Sequence, residues 1–316
     1  MMEKRSLGTS GLAASLVGLG CNNFGMKIDF TATRSVIDAA LDAGITFFDT
    51  ADMYGNGQSE EFIGQVLGPR RKEIVLATKF GGVAMMRKSG ERWGTRAYIV
   101  SCLEASLQRL RTDWVDLYQM HYPDPTTPIE ETLAALDDLV HQGKVRTVGC
   151  SNFSGAQLTE AATQARERRL VPFVTAQNDW SLLNRGAERE VIPACEQYGL
   201  GQLPYFPLAS GMLTGKYRRG EEFAAGTRLA TFKFAQGLAT EQNFAKVEAL
   251  QNFAEKRGHT LLELAVSWLA AHPCVVSVIA GATTPEQIRA NAAAANWKLS
   301  AAELAEVDAL APLAPA

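Results

Sequence analysis

No two of the five cysteines stand in CxxC spacing: Cys21, Cys102, Cys150, Cys195 and Cys274 are scattered singly, and their count is odd. That argues against a disulfide framework and against a thiolate metal site, and it predicts buried free thiols. The four histidines, His121, His141, His259 and His272, lack HxxxH and HExxH spacing, so no metal centre is expected. No apolar stretch approaches the roughly 20 residues needed to span a bilayer, and the opening "MMEKRSLGTSGL" has no apolar signal core. Cytoplasmic residence without a membrane partner is the expectation. Runs of like charge are absent too: the formal net charge is −3 with both signs interspersed. Nothing in that balance recommends a nucleic-acid partner, whereas a small neutral or polar ligand fits it.

What is present is a rhythm. Short apolar runs alternate with amphipathic stretches along the 316 residues, a length that suits one large domain or two small ones. "SLVGLG" reads as a strand ending near Gly20, "TATRSVIDAALDAG" as a helix with Val36, Ile37, Ala40 and Leu41 on one face, and "ITFFD" as a buried strand. "SEEFIGQVLG" reads as a helix with Ser59 as its cap and Gly68 closing it, before the strand "EIVLATK". Further units follow through "WVDLYQMH", "VRTVGCS", "VPFVTAQND", "LGQLPYFP" and "CVVSVIAG", giving eight strand and helix pairs.

Such alternation demands parallel strands joined by right-handed crossovers, and the apolar character of the strands places them between covering layers. A doubly wound nucleotide-binding sheet normally shows GxGxxG after its first strand, and "GLGCNNFG" lacks that spacing. A TIM (β/α)8 barrel needs no such loop and accounts for eight units, so an α/β barrel is expected. The Gly-rich segment from about 209 to 240 is too long for a simple connection and suggests a lid or cofactor clamp.

In a barrel, reactive groups sit where strands end. Asp49 ends the second strand, with Tyr54 in the loop behind it; Lys79 ends the third, His121 the fourth, Ser151 and Asn152 the fifth, and Gln177 the sixth, while Tyr205 lies near the end of the seventh. A Tyr, a Lys, an Asp and a His at one barrel mouth make a proton-donor system. A nearby ammonium lowers the phenol from its ordinary pKa near 10, the carboxylate keeps the lysine charged, and the histidine orients an oxygen. Each residue also has an ordinary role as a cap, a surface group or a packing residue, but four such types at the ends of three consecutive strands favour the chemistry.

Taken together, "RSLGTSGL", "GLGCNNFG", "FFDTADMYGNGQSEEFIG", "VLATKFG", "SLQRLRTDWVDLYQMHYPD", "VHQGKVRTVGCSNF", "AQNDWSLLNR", "LPYFPLASGMLTGKY" and "VIAGATTPEQIRANAAAA" resemble the aldo-keto reductase superfamily over almost the whole chain. The resemblance implies a single barrel domain over 1–316, capped by an N-terminal β-hairpin and ending in a C-terminal helical tail. It also implies NADPH-dependent reduction of aldehydes and ketones, with Asp49, Tyr54, Lys79 and His121 as the catalytic tetrad and Tyr54 as the general acid.

By the same resemblance Ser151, Asn152 and Gln177 hydrogen-bond the nicotinamide carboxamide and Tyr205 stacks on its ring. Leu208, Ser210 and Gly211 line the pyrophosphate, with Lys216 supplying charge. Phe206 departs from the usual serine. Gly20, Asn22, Asp49, Thr283 and Asn291 complete the expected cofactor residues. Gly281 and Gln287 stand where many members carry Lys or Arg for the 2′-phosphate, which weakens the preference for NADPH and leaves NADH possible. Phe24, Met53, Trp93, Tyr122 and Trp180 are expected to wall an apolar pocket above Tyr54 and His121, suited to aromatic or medium aliphatic carbonyl substrates. Two rivals remain: a cofactor-retaining regulatory or redox-sensing protein of the same fold, and a barrel lyase or isomerase without nicotinamide.

Overall fold

The computed structural model describes residues 2–82 and 92–314. The chain opens with an antiparallel hairpin, β1 (Lys4–Ser6) with β2 (Ala13–Ser15), and then enters a repeating parallel pattern. The elements are β3 (Val17–Gly20), α1 (Phe30–Asp42), β4 (Phe47–Asp49), α2 (Gln58–Leu67), β5 (Val75–Phe80), α3 (Arg96–Leu110), β6 (Val115–Met120) and α4 (Ile129–His141). β7 (Val145–Ser151), α5 (Gly155–Arg168), β8 (Thr175–Gln177), α6 (Val191–Tyr198) and β9 (Gly201–Gln202) continue it. After the short α7 (Arg228–Thr231) and α8 (Lys233–Gln236) come α9 (Glu241–Glu255), α10 (Leu261–Ala270), β10 (Val278–Gly281), α11 (Pro285–Ala293) and α12 (Ala301–Leu310).

The eight parallel strands run in the order β10-β3-β4-β5-β6-β7-β8-β9. The first and last meet: Gln202 N donates to Cys274 O at 2.7 Å, Val276 N to Gln202 O at 3.0 Å and Ile279 N to Pro204 O at 3.2 Å. The sheet therefore curls into the expected TIM (β/α)8 barrel, and its crossover helices cover it outside.

Strand alternation explains two cores. Phe47, Ala77, Leu117, Leu203 and Ile279 fill the barrel interior, whereas Phe48, Leu76, Tyr118 and Val148 point outward to Ile37, Ile63, Leu103 and Leu136 on the helices. The hairpin plugs the N-terminal end of the barrel with Leu7 and Ala14, which pack into the interior cluster. Gly8 makes this possible: a Cβ there would fall 2.2 Å from Val174 O, and its φ of +50° is left-handed. Arg5 ties the hairpin down by donating to Ala270 O, His272 O and Val275 O.

The other end of the barrel is therefore free for loops. α12 forms the expected helical tail, held by Arg185 to Asp308 at 2.8 Å and by Trp268 Nε1 to Asp308 at 3.1 Å. Two local expectations change. Ser59 does not cap α2, whose N-cap is Gly57; its hydroxyl bonds the Thr50 hydroxyl and donates to Cys21 O, tying the helix to the ends of β3 and β4. The 209–240 segment is not plain Gly-rich coil: it holds a tight 3-10 turn over Ala209–Thr214 as well as α7 and α8. All five cysteines are free thiols. No helix among the described residues is long and apolar enough to cross a membrane.

Candidate active site

The end of β4 places Asp49 inside the mouth of the barrel, where its two oxygens take three donors. Lys79 Nζ lies 2.6 Å from Oδ2, and the carboxamides of Gln119 and Gln177 donate to Oδ1 at 3.2 and 2.9 Å. Lys79 is wholly buried and also donates to Thr50 O at 2.8 Å. A buried ammonium is sustained only by such partners. Burial pulls the Lys79 pKa down, but Asp49 and Tyr54 outweigh it and hold the lysine above its ordinary range, hence charged.

Tyr54 reaches this pair through a turn that only permissive backbone allows. It begins a 3-10 turn, Tyr54–Gly57, in which Gly55, Asn56 and Gly57 all have positive φ. The turn folds the ring back so that Lys79 Nζ sits 5.1 Å from its centroid. His121 packs edge-on against the same ring, centroids 6.0 Å apart. The structure thus brings Asp49, Tyr54, Lys79 and His121 together.

The pKa expectation for Tyr54 needs correcting. Burial raises the phenol, Lys79 pulls it down and Asp49 pushes it up, and the balance lies above the ordinary tyrosine value. Desolvation wins over the single ammonium, so Tyr54 keeps its proton at neutral pH. His121 is shifted the other way: burial, and then the Lys79 charge, hold it well below its ordinary value, so it is a neutral imidazole. Its Nδ1 is buried without a partner.

Around these four groups the other expected residues divide. Asn152, left-handed at φ +63°, accepts from the Tyr205 hydroxyl at 2.8 Å and donates to His121 O at 2.9 Å, linking three strand ends. Ser151 donates to Gln177 O at 2.9 Å. Met53 lies over Gly82, where a Cβ would fall 2.5 Å from its sulfur. Trp93 sits against Gly81 and donates to Tyr122 O at 2.9 Å, while Tyr122 stacks on His121 at 4.9 Å. These aromatics and Met53 wall the space beside Tyr54.

Phe24 and Trp180 do not. Phe24 is fully buried in the outer core. Trp180 is also fully buried; it packs on Trp268 and His272 and donates to Glu188 at 2.9 Å, inside the clamp that holds α12. The backbone after β8 turns this ring into the core, away from the mouth.

On the far side of the mouth the strap from 206 to 236 carries its own chemistry. Phe206, Ala209, Ser210 and Gly211 all have positive φ, a left-handed run that Leu208 enters with φ −101°. Within this turn Ala209 N and Gly211 N donate to Phe206 O and Leu208 O, each at 2.8 Å, so the groups left for an anion are side chains. Ser210 Oγ is buried there without a partner, and Lys216 folds back until its Nζ would lie 2.9 Å from a Cβ on Gly211. Arg228 lies over the Phe206 ring at 5.3 Å and Lys27 over Phe232 at 5.3 Å. Lys27 is held below its ordinary pKa by burial and then by the charges of Arg228 and Lys216. Among the described residues none of these three cations has a carboxylate partner.

At the last strand, Gly281 lies under Asn22 and Asn23, within 3.2 Å of both for an added Cβ, and beside Gly20, its register partner. Gln287 accepts from Thr283 N and Oγ1, at 2.8 and 3.0 Å, leaving its amide donors. Asn291 is buried with Nδ2 unpartnered.

Arg228, Lys27 and Gln119 were not anticipated. The first two carry no signal in the sequence, where they read as ordinary surface cations; the third lies two residues before His121 and so on the same face of β6. Among the described residues no group of three or more His, Cys, Asp or Glu side chains could hold a metal ion.

The sequence profile of the Aldo/keto reductase family matches residues 16–312. An uncharacterised oxidoreductase of Bacillus subtilis, YrpG, is 39% identical over 298 residues, covering 91% of this chain and 89% of that protein. The Bacillus subtilis aldo-keto reductase YhdN is 34% identical over 318 residues, covering 98% and 93%. A probable voltage-gated potassium channel subunit beta of rice is 38% identical over 300 residues, covering 92% and 90%.

Proposed function

The chain belongs to the aldo/keto reductase family, and from that premise we propose that it is an NADPH-dependent oxidoreductase reducing aldehydes and ketones, with Tyr54 as the general acid. The observation that carries this reading is the buried Lys79–Asp49 pair set 5.1 Å under the face of a protonated Tyr54. When bound, the cofactor supplies a hydride from its nicotinamide ring. The chain's own residues do the rest.

Tyr54 donates its phenolic proton to the carbonyl oxygen as negative charge develops there. The Lys79 ammonium stabilises the phenolate left behind, and Asp49 keeps that ammonium fixed and charged. His121, neutral, orients the same oxygen without competing for the proton. Met53, Trp93 and Tyr122 favour apolar carbonyl compounds and exclude water.

The residues present fit a dinucleotide. The unpartnered Ser210 hydroxyl and the uncompensated Lys27, Lys216 and Arg228 suit phosphates. The exposed face of Tyr205, held by Asn152, suits the nicotinamide ring, and the unpartnered Asn291 amide suits the adenosine end. The three cations suit the pyrophosphate that both nicotinamide cofactors share, and the family's usual cofactor makes NADPH the one expected. Titration of tryptophan fluorescence with NADPH and with NADH tests this: NADPH binding more tightly is expected, and failure of both to bind contradicts the reading.

A second reading rests on the rice relative named as a probable channel subunit beta. Under it the protein retains cofactor but turns over slowly and serves as a sensor. Tight NADPH binding with negligible reduction across an aldehyde panel separates that case.

A further inference from the structure

One row of the barrel wall runs through the floor of the site. Register pairs Lys79 with Gln119, Gln119 with Gly149, and Gly149 with Thr175. Paired residues of neighbouring parallel strands point to the same side of the sheet, so Gln119 shares the inward face of Lys79. Gly149 offers no side chain between Gln119 and Thr175, and a Cβ there would fall 2.2 Å from Thr175 Oγ1.

Gln119 is wholly buried, and its two amide poles are treated unequally. Nε2 donates to Asp49 Oδ1 at 3.2 Å, whereas Oε1 is buried without a partner. Leaving a buried acceptor unpaired is costly, and a hydrogen bond to an ionised group offsets that cost. The side chain therefore keeps its amide turned to Asp49. A half-turn flip would set Oε1 against the carboxylate, where two acceptors repel.

Asp49 Oδ1 also accepts from Gln177, but Gln177 ends β8 at the open mouth of the barrel, and under the function proposed above its carboxamide faces the cofactor. Gln119 lies two strands away on β6, two residues before His121, and its amide is turned to Asp49. We propose that Gln119 is a positioning residue for the reduction: it anchors the Asp49 carboxylate beneath Lys79, independently of what Gln177 engages at the mouth. The inference rests on the Tyr54 reading for its catalytic meaning, but the anchoring itself belongs to the protein alone.

The consequence follows along the chain of contacts. A carboxylate that loses one donor concentrates more of its charge on those that remain, here Gln177 and, as the charged one, the Lys79 ammonium. Less of the lysine's field is then left for the Tyr54 phenolate, and the phenol holds its proton more tightly. Gln119→Met removes both amide poles while nearly preserving volume, a change that cores tolerate.

The test is alkaline absorbance titration of the full chain without cofactor, with the Tyr54 component isolated by subtracting the Tyr54→Phe protein. Gln119→Met is expected to move the Tyr54 midpoint to higher pH, by roughly half a unit, and to leave it unmoved when made in an Asp49→Asn background. With cofactor and an aldehyde, the same variant should lose roughly threefold in kcat, the scale of half a pKa unit of proton donation, with NADPH affinity within about twofold. An unmoved midpoint, or an equal shift in the Asp49→Asn background, overturns the proposal and leaves Gln119 as packing. Gln119→Leu provides the same reading if the methionine variant does not fold. Because the titration needs neither cofactor nor substrate, it decides the role of Gln119 even where no aldehyde is reduced. Normal turnover with a Tyr54 midpoint indifferent to Gln119 refutes only this inference.

Discussion

Replacing Tyr54 by phenylalanine is expected to cut aldehyde reduction by about 10²–10⁴-fold, the usual worth of a positioned general acid, while NADPH affinity stays within about twofold. The ring remains, so its packing against His121 persists; only the proton is lost. The pH profile adds a second criterion. The phenol lies above the ordinary tyrosine value, so wild-type turnover should be flat through neutral pH and fall only in the alkaline range, as the proton leaves. The Tyr54→Phe protein should show no such alkaline fall. Undiminished turnover in that protein removes Tyr54 from the role of acid.

Lys79→Met should be costly in two ways at once. The substitution leaves Asp49 buried with two carboxamide donors and no cation. Breaking a buried pair from one side costs about 3–5 kcal/mol, against about 5–15 kcal/mol for a whole domain. The protein is thus expected to fold but to melt many degrees lower in calorimetry. Activity should fall at least as far as in the Tyr54 variant, because the phenolate loses its counter-ion as well as its position. Adding Asp49→Asn removes the stranded charge and should restore part of the stability without restoring turnover. Equal melting temperatures for wild type and Lys79→Met contradict the buried pairing.

Much of this site was legible in the chain because strands end where the apolar runs stop. Asp49, Lys79, His121 and Gln177 each close such a run, and the barrel converts those four ends into one mouth. The loop expected behind Asp49 is a left-handed turn through Gly55, Asn56 and Gly57, and it returns Tyr54 over Lys79. Side-chain direction in loops was not legible. Trp180 and Phe24 lie only a few residues past strand ends, yet their rings turn into the core, because large apolar surface is worth more buried there than at the mouth.

Electrostatic balance was also hidden. The sequence pairs a lysine with a tyrosine but does not state how dry their surroundings are, and that dryness decides which way Tyr54 shifts. Asp52, which had no assigned role, shows the same effect: burial, and then the neighbouring Glu60 carboxylate, push it up to about 7. Partners distant in sequence, such as Arg228 and Lys27 at the strap, became visible only when the fold brought them together.

A single turnover of protein-bound NADPH mixed with an excess of an apolar aldehyde, followed by the near-ultraviolet absorbance of the reduced nicotinamide, tests carbonyl reduction most directly. Loss of that absorbance with one alcohol formed per bound cofactor, in the wild-type protein and not in Tyr54→Phe, is the predicted result. Bound NADPH whose absorbance persists in the wild-type protein contradicts a carbonyl reductase and points instead to a protein that holds its cofactor without using it.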